Sequence, residues 1–357
     1  MLTKRIASVS VALTLALGSV AMGATSASAL APGSLEVLNS SGGTSSQDGL
    51  RVEMAFGQIQ IIRNGSGQFF GPNDPPSTSD PERLSNYFVV ALDTPGTTTY
   101  VGDGYDLGGS SWDSFTSEIT STDGDRSGTI VNHLVSGSGG TQVLLDVTLD
   151  YTYPNDFVNV DAALTLGADY ASTPHRIYWY TDSYFAGSDF GYSFTTLDGS
   201  SKRITGVSND QATAFQAYRQ TSSNLNWWAG QYVCPYATGS NPGDCTTDTA
   251  GAYVQSDADF PNAVSALLTD NGIGISSNTS TGNQSINFDL LFSSCDSSSS
   301  ALLGEVCPSD TPSTLPDTGT AVFKTSITGL GLMSVGFYIV AMSHIARRRG
   351  VRNGLIR

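Results

Sequence analysis

Between residues 141 and 166 apolar and polar positions alternate one for one. In Thr141–Tyr153 the residues Val143, Leu145, Val147 and Leu149 share one side, against Leu144, Asp146, Thr148 and Asp150. In Phe157–Leu166 the set Val158, Val160, Ala162, Leu164 and Leu166 is opposed by Asn159 and Asp161. A period of two predicts strands with one dry and one wet face, and such strands belong to antiparallel sheets. Pro154-Asn155-Asp156 supplies the turn that joins them.

The same logic extends over most of the chain. Strands are predicted at Leu50–Ala55, Gln58–Ile62, Tyr87–Leu92, Thr97–Val101, Phe115–Ser121 and Thr129–Val135. Further strands follow at Arg176–Thr181, Gly191–Leu197, Phe215–Arg219, Ala263–Thr269, Ile273–Ser277 and Gln284–Phe292. Asp93-Thr94-Pro95-Gly96 and Asp123-Gly124-Asp125 read as turns, and Gly-Pro-Asn-Asp-Pro-Pro at 71–76 as a loop. Only Asp210–Tyr218 and Phe260–Leu268 hold a short apolar period near 3.6. The fold class expected is therefore all-β, a large antiparallel β-sandwich. Two immunoglobulin-sized units would also fit the length, but no Pro/Ser/Thr linker or repeat divides residues 81–292. By fold analogy, one form of such a sandwich is the galactose-mutarotase-like supersandwich.

The two ends follow another pattern. Lys4 and Arg5 precede an apolar run from Ile6 to about Met22, and Ala27-Ser28-Ala29 is a small-residue cleavage site. This predicts a signal peptide over residues 1–29, the rival being an uncleaved N-terminal anchor. Near the other end, Thr325–Ala346 contains no Lys, Arg, Asp or Glu. As a helix that run would span about 33 Å, enough to cross a bilayer. Arg347-Arg348-Arg349 beyond it would stay cytoplasmic. Just before it stands Leu315-Pro316-Asp317-Thr318-Gly319. This pentapeptide, with the apolar segment and basic tail after it, resembles the LPxTG sorting signal of Gram-positive surface proteins. The resemblance implies that a sortase cuts after Thr318 and joins Thr318 to peptidoglycan. The expected organisation is a signal peptide (1–29), β-sandwich ectodomain (30–294), Ser/Pro stalk (295–314), sorting motif (315–319), transmembrane segment (320–346) and basic tail (347–357).

Removal of both ends changes the charge. Of 16 Lys and Arg, two lie in the signal and six from Lys324 onward, leaving eight against 32 acidic residues, a net −24 rather than −16. Nucleic acid is excluded as a partner, since phosphate binding needs a basic footprint. The four cysteines, Cys234, Cys245, Cys295 and Cys307, come late in an exported chain, which argues for disulfides. Their spacing favours Cys234–Cys245 and Cys295–Cys307, each worth roughly 2–3 kcal/mol as a loop closure. A four-thiolate metal site is the rival, but no pair has the tight spacing zinc prefers.

Candidate chemistry is thin. There is no Gly-x-Ser-x-Gly in the exported part, and its only histidines are His133 and His175, expected at surface or cap positions. Asp123, Asp125 and Ser127, with Gly128 and Ile130, match the first half of a calcium loop. Position 12, where a Glu is needed, is Leu134, and an Asp/Gly hairpin turn produces the same string. No cofactor is expected. The aromatic-rich stretch is more suggestive: Tyr178-Trp179-Tyr180, Phe190, Tyr192 and Trp227-Trp228, with Asp182 and Asp189 among them. Trp179, Tyr180, Asp182, Asp189, Trp227 and Trp228 are the candidate ligand residues, because exposed rings beside carboxylates suit sugars. The bland alternative is that the rings fill the core. Asp182 and Asp189 could also form the acid/base pair of a glycosidase. Tyr153-Pro154-Asn155-Asp156 resembles a pilin motif but lacks the linking Lys, and Lys202 is the only lysine of the exported part.

The expected function is a wall-anchored surface protein that binds a glycan or a surface-protein ligand, as an adhesin does. A carbohydrate-active enzyme and a structural coat are the alternatives. Replacing Thr318 by Ala should leave the protein in the membrane fraction. Finding the variant still released with peptidoglycan fragments would refute the sorting signal.

Overall fold

The computed structural model describes residues 31–45, 47–69, 71–80, 83–102, 109–184, 187–198, 200–209, 214–222, 225–235, 254 and 256–294. The expected signal peptide, stalk, sorting motif, transmembrane segment and tail lie outside the described residues, as do Cys245, Cys295 and Cys307. Among the described residues the chain is all-β, with one 3-10 turn at Gly139–Thr141 and no α-helix. No helix among them is long and apolar enough to cross a membrane.

A four-stranded sheet forms first: β2 (Glu36–Leu38), β3 (Arg51–Ala55), β4 (Gln58–Arg63) and β5 (Ser66–Gly67), in chain order. Every other strand joins one 15-stranded sheet. Its first edge is β1 (Ala31–Pro32), beside the meander β8 (Ser114–Thr122), β9 (Ser127–Ser136), β10 (Val143–Tyr151) and β11 (Phe157–Leu166). Next come β19 (Gln284–Ser294), β15 (Ala214–Gln220), β14 (Arg203–Asn209) and β13 (Phe190–Leu197). β18 (Leu268–Ser277), β12 (His175–Asp182), β6 (Asn86–Thr94) and β7 (Thr97–Val101) complete the order. β16 (Leu225–Gln231) also pairs with β18, and the short β17 (Ala263–Val264) pairs with β16. Pairings are antiparallel except that of β16 with β17.

The alternation that predicts the meander is realised in register. Val147 pairs with Asn132 on β9 and Ala162 on β11, and Val143, Leu145, Val147 and Leu149 are buried while Asp150 faces water. So long a sheet cannot stay flat, because its apolar face would meet solvent. It folds back so that β12 and β18 face β15 and β19. The Trp179 ring lies 5.0 Å from Phe288 of β19 and 6.3 Å from Phe69, whose own ring is 5.9 Å from Phe292. Leu38, Val52, Met54, Ile59 and Ile61 of the small sheet join the same core. The Tyr151 hydroxyl accepts from Leu50 N–H at 2.8 Å, which ties the small sheet to the meander. Burial pushes that phenol up to about 12, so it stays protonated.

Two further clusters cover outer faces. On the far side of β12, Tyr178, Tyr180, Trp228, Cys234, Val254 and Phe260 pack together. The segment carrying Asp257 is held there by buried Arg176, which pairs with Asp257 at 2.5 Å and with Asp259 at 3.1 Å. Burial raises the Asp257 carboxyl and Arg176 opposes that rise. Phe194, Ile204, Phe215, Ala217 and Leu291 form the other cluster.

Five strands, β1, β2, β5, β14 and β16, go beyond the sequence expectation, and one predicted break is absent. The pattern ends a strand at Thr269 and begins another at Ile273, because Asp270-Asn271-Gly272 looks like a turn. The structure runs β18 unbroken from Leu268 to Ser277. Gly272 is there for closeness: a Cβ on it would lie 2.4 Å from the Thr181 carbonyl oxygen and 3.0 Å from Tyr232 Cα. The short 3.6-residue periods at 210–218 and 260–268 form no helix among the described residues; they contribute to β15, β17 and β18.

Tyr218 spans the fold-back. Its hydroxyl donates to Gly274 O at 2.7 Å and accepts from Trp228 N–H at 3.2 Å, on paired residues of β18 and β16. Replacing Tyr218 by Phe leaves both backbone groups without that partner, at a cost of about 1–3 kcal/mol. A urea titration should show the midpoint falling with the m-value unchanged.

Candidate functional site

β18 has two strands in succession along one flank. Asn271 N–H donates to Asp189 O at 3.3 Å, and Asn271 O accepts from Ser183 N–H at 2.9 Å. A strand residue turns its N–H and C=O to the same side, so residue 271 is where β18 passes from β13 to β12. The described chain stops at Tyr184 on that side and resumes at Gly187 before β13. On the other flank, Tyr232 N–H donates to Asp270 O at 3.0 Å.

This break gathers three carboxylates. Asp182 pairs with Gly272, and Phe190 with Asp270. Residues 270 and 272 share a face of β18, so Asp182, Asp270 and Phe190 share it as well. Asp189 comes in from the loop. One oxygen from each of Asp182, Asp189 and Asp270 lies within 4.8 Å of the others, with Asp182 buried and the other two half-buried. The Asp182–Asp189 pair expected from the sequence is thus brought together, and Asp270 is a third member that the sequence reading missed. Its signal was hidden in the turn-like Asp-Asn-Gly string. Carboxylates this close favour a hard cation with oxygen ligands or a proton shared among them.

The surface next to them is apolar. Phe190 is 53% exposed, Leu268 48% and Leu267 49%. Tyr192, half-buried, pairs with Leu268, so Tyr192, Phe190 and Leu268 lie on the carboxylate side of the ladder. An accessible ring beside clustered acids was expected here, but from different residues.

The predicted aromatic platform needs correction. Trp179, Tyr180 and Trp228 are buried, at 0%, 2% and 0% exposure, and offer no open face. Trp179 packs on Phe69, Phe88 and Phe288, Tyr180 on Tyr87, and Trp228 stacks on Phe260. Alternation does send Tyr178 and Tyr180 to the face opposite Trp179. That face is covered too, so both sets of rings are core. Trp227 is partly buried, with the Arg203 guanidinium 5.2 Å from its ring centre.

The candidate calcium-loop residues sit at the turn between β8 and β9, as the hairpin alternative has it. Asp123 pairs with Arg126 at 3.2 Å, Asp125 accepts from the Ser40 hydroxyl at 2.8 Å, and Ser127 Oγ accepts from Tyr153 N–H at 3.0 Å. Each of these oxygens thus has its own partner within the protein. His133 meets Asp146 at 2.6 Å on the outer sheet face, while His175 is buried at the start of β12 with its Nδ1 3.0 Å from Thr173 O. Cys234 is buried and disulfide-bonded. The expected partner Cys245, and the whole of the Cys295–Cys307 pair, lie outside the described residues.

No protein-family model matches this chain, and no curated protein matches it. Among solved structures it is similar to a bacterial glucoamylase complexed with acarbose, at 13% identity and a TM-score of 0.46, over 79% of this chain and 35% of that one. The chain thus spans about a third of the length of that enzyme. It is also similar to a putative aldose 1-epimerase from Escherichia coli K12, at 9% identity and a TM-score of 0.39, over 73% of this chain and 99% of that one.

The reassignment of rings from site to core has a direct consequence. Trp179→Ala should cost about 3–5 kcal/mol, as a large core truncation. Phe190→Ala should change stability by no more than about 0.5 kcal/mol, as a surface substitution. Paired denaturation curves would test this, and equal losses would place Phe190 in the core.

Proposed function

We propose that this chain is an exported surface protein that a sortase joins to peptidoglycan through Thr318, and that its β domain binds a neutral glycan. The address rests on Leu315-Pro316-Asp317-Thr318-Gly319 and the apolar and basic segments after it. We read the folded-back sheet as a supersandwich of the galactose-mutarotase-like kind.

One observation carries the ligand assignment: the exposed Phe190 ring pairs across the ladder with Asp270, whose carboxylate converges with Asp182 and Asp189. A sugar ring has an apolar C–H face that stacks on an aromatic ring, and hydroxyls that need acceptors. Phe190 and Tyr192 supply the first need and the three carboxylates the second. The net charge of the exported part disfavours an acidic polymer and suits a neutral one.

A second reading, hydrolysis, draws on the same carboxylates. Retaining glycosidases hold their two carboxyl groups about 5–5.5 Å apart and inverting ones about 6.5–9.5 Å. Asp182 and Asp189, with oxygens within 4.8 Å, suit the closer arrangement. Wall-released protein applied to a glycan array, with hydrolysis assays on every hit, separates the readings. Binding without turnover, weakened at least about tenfold in Phe190→Ala and Asp270→Asn, is the result expected, a loss of about 1.4 kcal/mol. Turnover lost in Asp182→Asn and Asp189→Asn would favour the enzyme. Silence on both assays would leave a structural coat.

A further inference from the structure

Opposite the carboxylates, on the inner face of the same strands, stands a second polar group. Gln216 is 0% exposed, Asn271 and Ser183 are each 1% exposed, and Trp179 is 0% exposed. Both side-chain atoms of Gln216, both of Asn271, the Ser183 hydroxyl and the Trp179 indole nitrogen have no hydrogen-bond partner among the described residues.

These side chains share one interior. Asn271 continues the side of β18 that carries Ile273 and Ile275, both core residues. Ser183 continues the side of β12 that carries Trp179 and Thr181, and it bridges to Phe69 through the backbone. Gln216 pairs with Phe292, whose ring meets Phe69, and Phe69 in turn meets Trp179. Two residues along β15 on the same face, Tyr218 reaches the backbone of β18 at Gly274. β15 and β18 therefore face one another across this space, with Gln216 on one wall and Asn271 and Ser183 on the other.

Buried amides with both ends unanswered are rare, because each loses its hydration and gains nothing in return. Two such amides, a hydroxyl and an indole N–H about one aromatic ring call for a common partner. The groups carry no charge, and both donors and acceptors occur among them. An ion would find no counter-charge in this set, whereas a hydroxyl both gives and takes a hydrogen bond. We infer that Gln216, Asn271, Ser183 and Trp179 form a buried site for a neutral, hydroxyl-bearing occupant, either ordered water or a small polyol such as a monosaccharide. The assignment is independent of any ligand at the outer carboxylates, because it uses the opposite face of β12 and β18.

Two volume-conserving substitutions test it in the wall-released protein: Gln216→Met and Asn271→Leu. If the amides are merely unanswered, removing them relieves a penalty and the melting temperature rises. If they hold an occupant, each variant melts several degrees below the parent. Ser183→Ala, a smaller change, serves if either variant fails to fold, with the same directions expected. A high-resolution crystal structure should show density within hydrogen-bonding distance of Gln216 and Asn271. Millimolar galactose or N-acetylglucosamine then separates the sources, at concentrations too low for general osmolyte effects. A rise in melting temperature confined to the parent identifies a polyol, and density without such a rise identifies water. Variants that melt at or above the parent, with no density between the two amides, would overturn the site.

Discussion

Tyr218 reaches from β15 across the interior to donate to Gly274 O and accept from Trp228 N–H. Burial pushes its phenol well above the ordinary range, so the hydroxyl keeps the proton that it must donate. A sheet of 15 strands has two faces to cover, and doubling back lets one half cover the other. Stacked sheets lie about 10 Å apart, and that gap needs long rings from both sides. Trp179 against Phe288 fills it, and Tyr218 ties the two halves together, because its hydroxyl donates to one backbone carbonyl and accepts from one backbone N–H across the gap. Everything at β18 inherits this placement. Pinned at Gly274, the strand has β16 on one flank and β12 then β13 on the other, and the change of partner at Asn271 produces the gap where the carboxylates meet.

The acid-rich composition is consistent with this economy of cations. Arg51, Arg63, Arg83, Arg126, Arg176 and Arg219 all sit in ion pairs with carboxylates, and Arg203 lies over the ring of Trp227. Arg63 and Arg176 are almost wholly buried, and a buried guanidinium is held in place by its acids more than it is visible to solvent. Arg63 and Arg176 thus serve packing, while Arg83 and Arg126 pair with acids at the surface. A field of one sign attracts cations and repels acidic polymers, while leaving neutral ligands to shape and hydrogen bonding.

Much of the fold was legible because its dominant signal is local. The meander over β8–β11 could be drawn from alternation alone, since each strand pairs with its neighbour in the chain across a short turn. Of the site, Asp182 and Asp189 were legible as a pair, because a Gly-containing loop separates them. Asp270 was not, since only a long-range pairing with Phe190 brings it in, and Asp-Asn-Gly imitates a turn. The aromatics misled for a related reason. Alternation correctly sends Trp179 to one face and Tyr178 and Tyr180 to the other. It cannot reveal that the far face is covered by Val254 and Phe260, far along the chain.

That covering also decides what kind of surface is left. Had the second face been open, Tyr180 and Trp228 would form a broad exposed ring platform. With both closed, the exposed large apolar side chains beside the acids are Phe190, Leu267 and Leu268. This short strip ends at the three converged acids. The same strands turn Asn271 and Ser183 inward directly behind it. A shift of β18 toward either face would therefore alter both environments at once, and Gly272, too tightly packed against Thr181 and Tyr232 to bear a side chain, leaves the strand little freedom to make one.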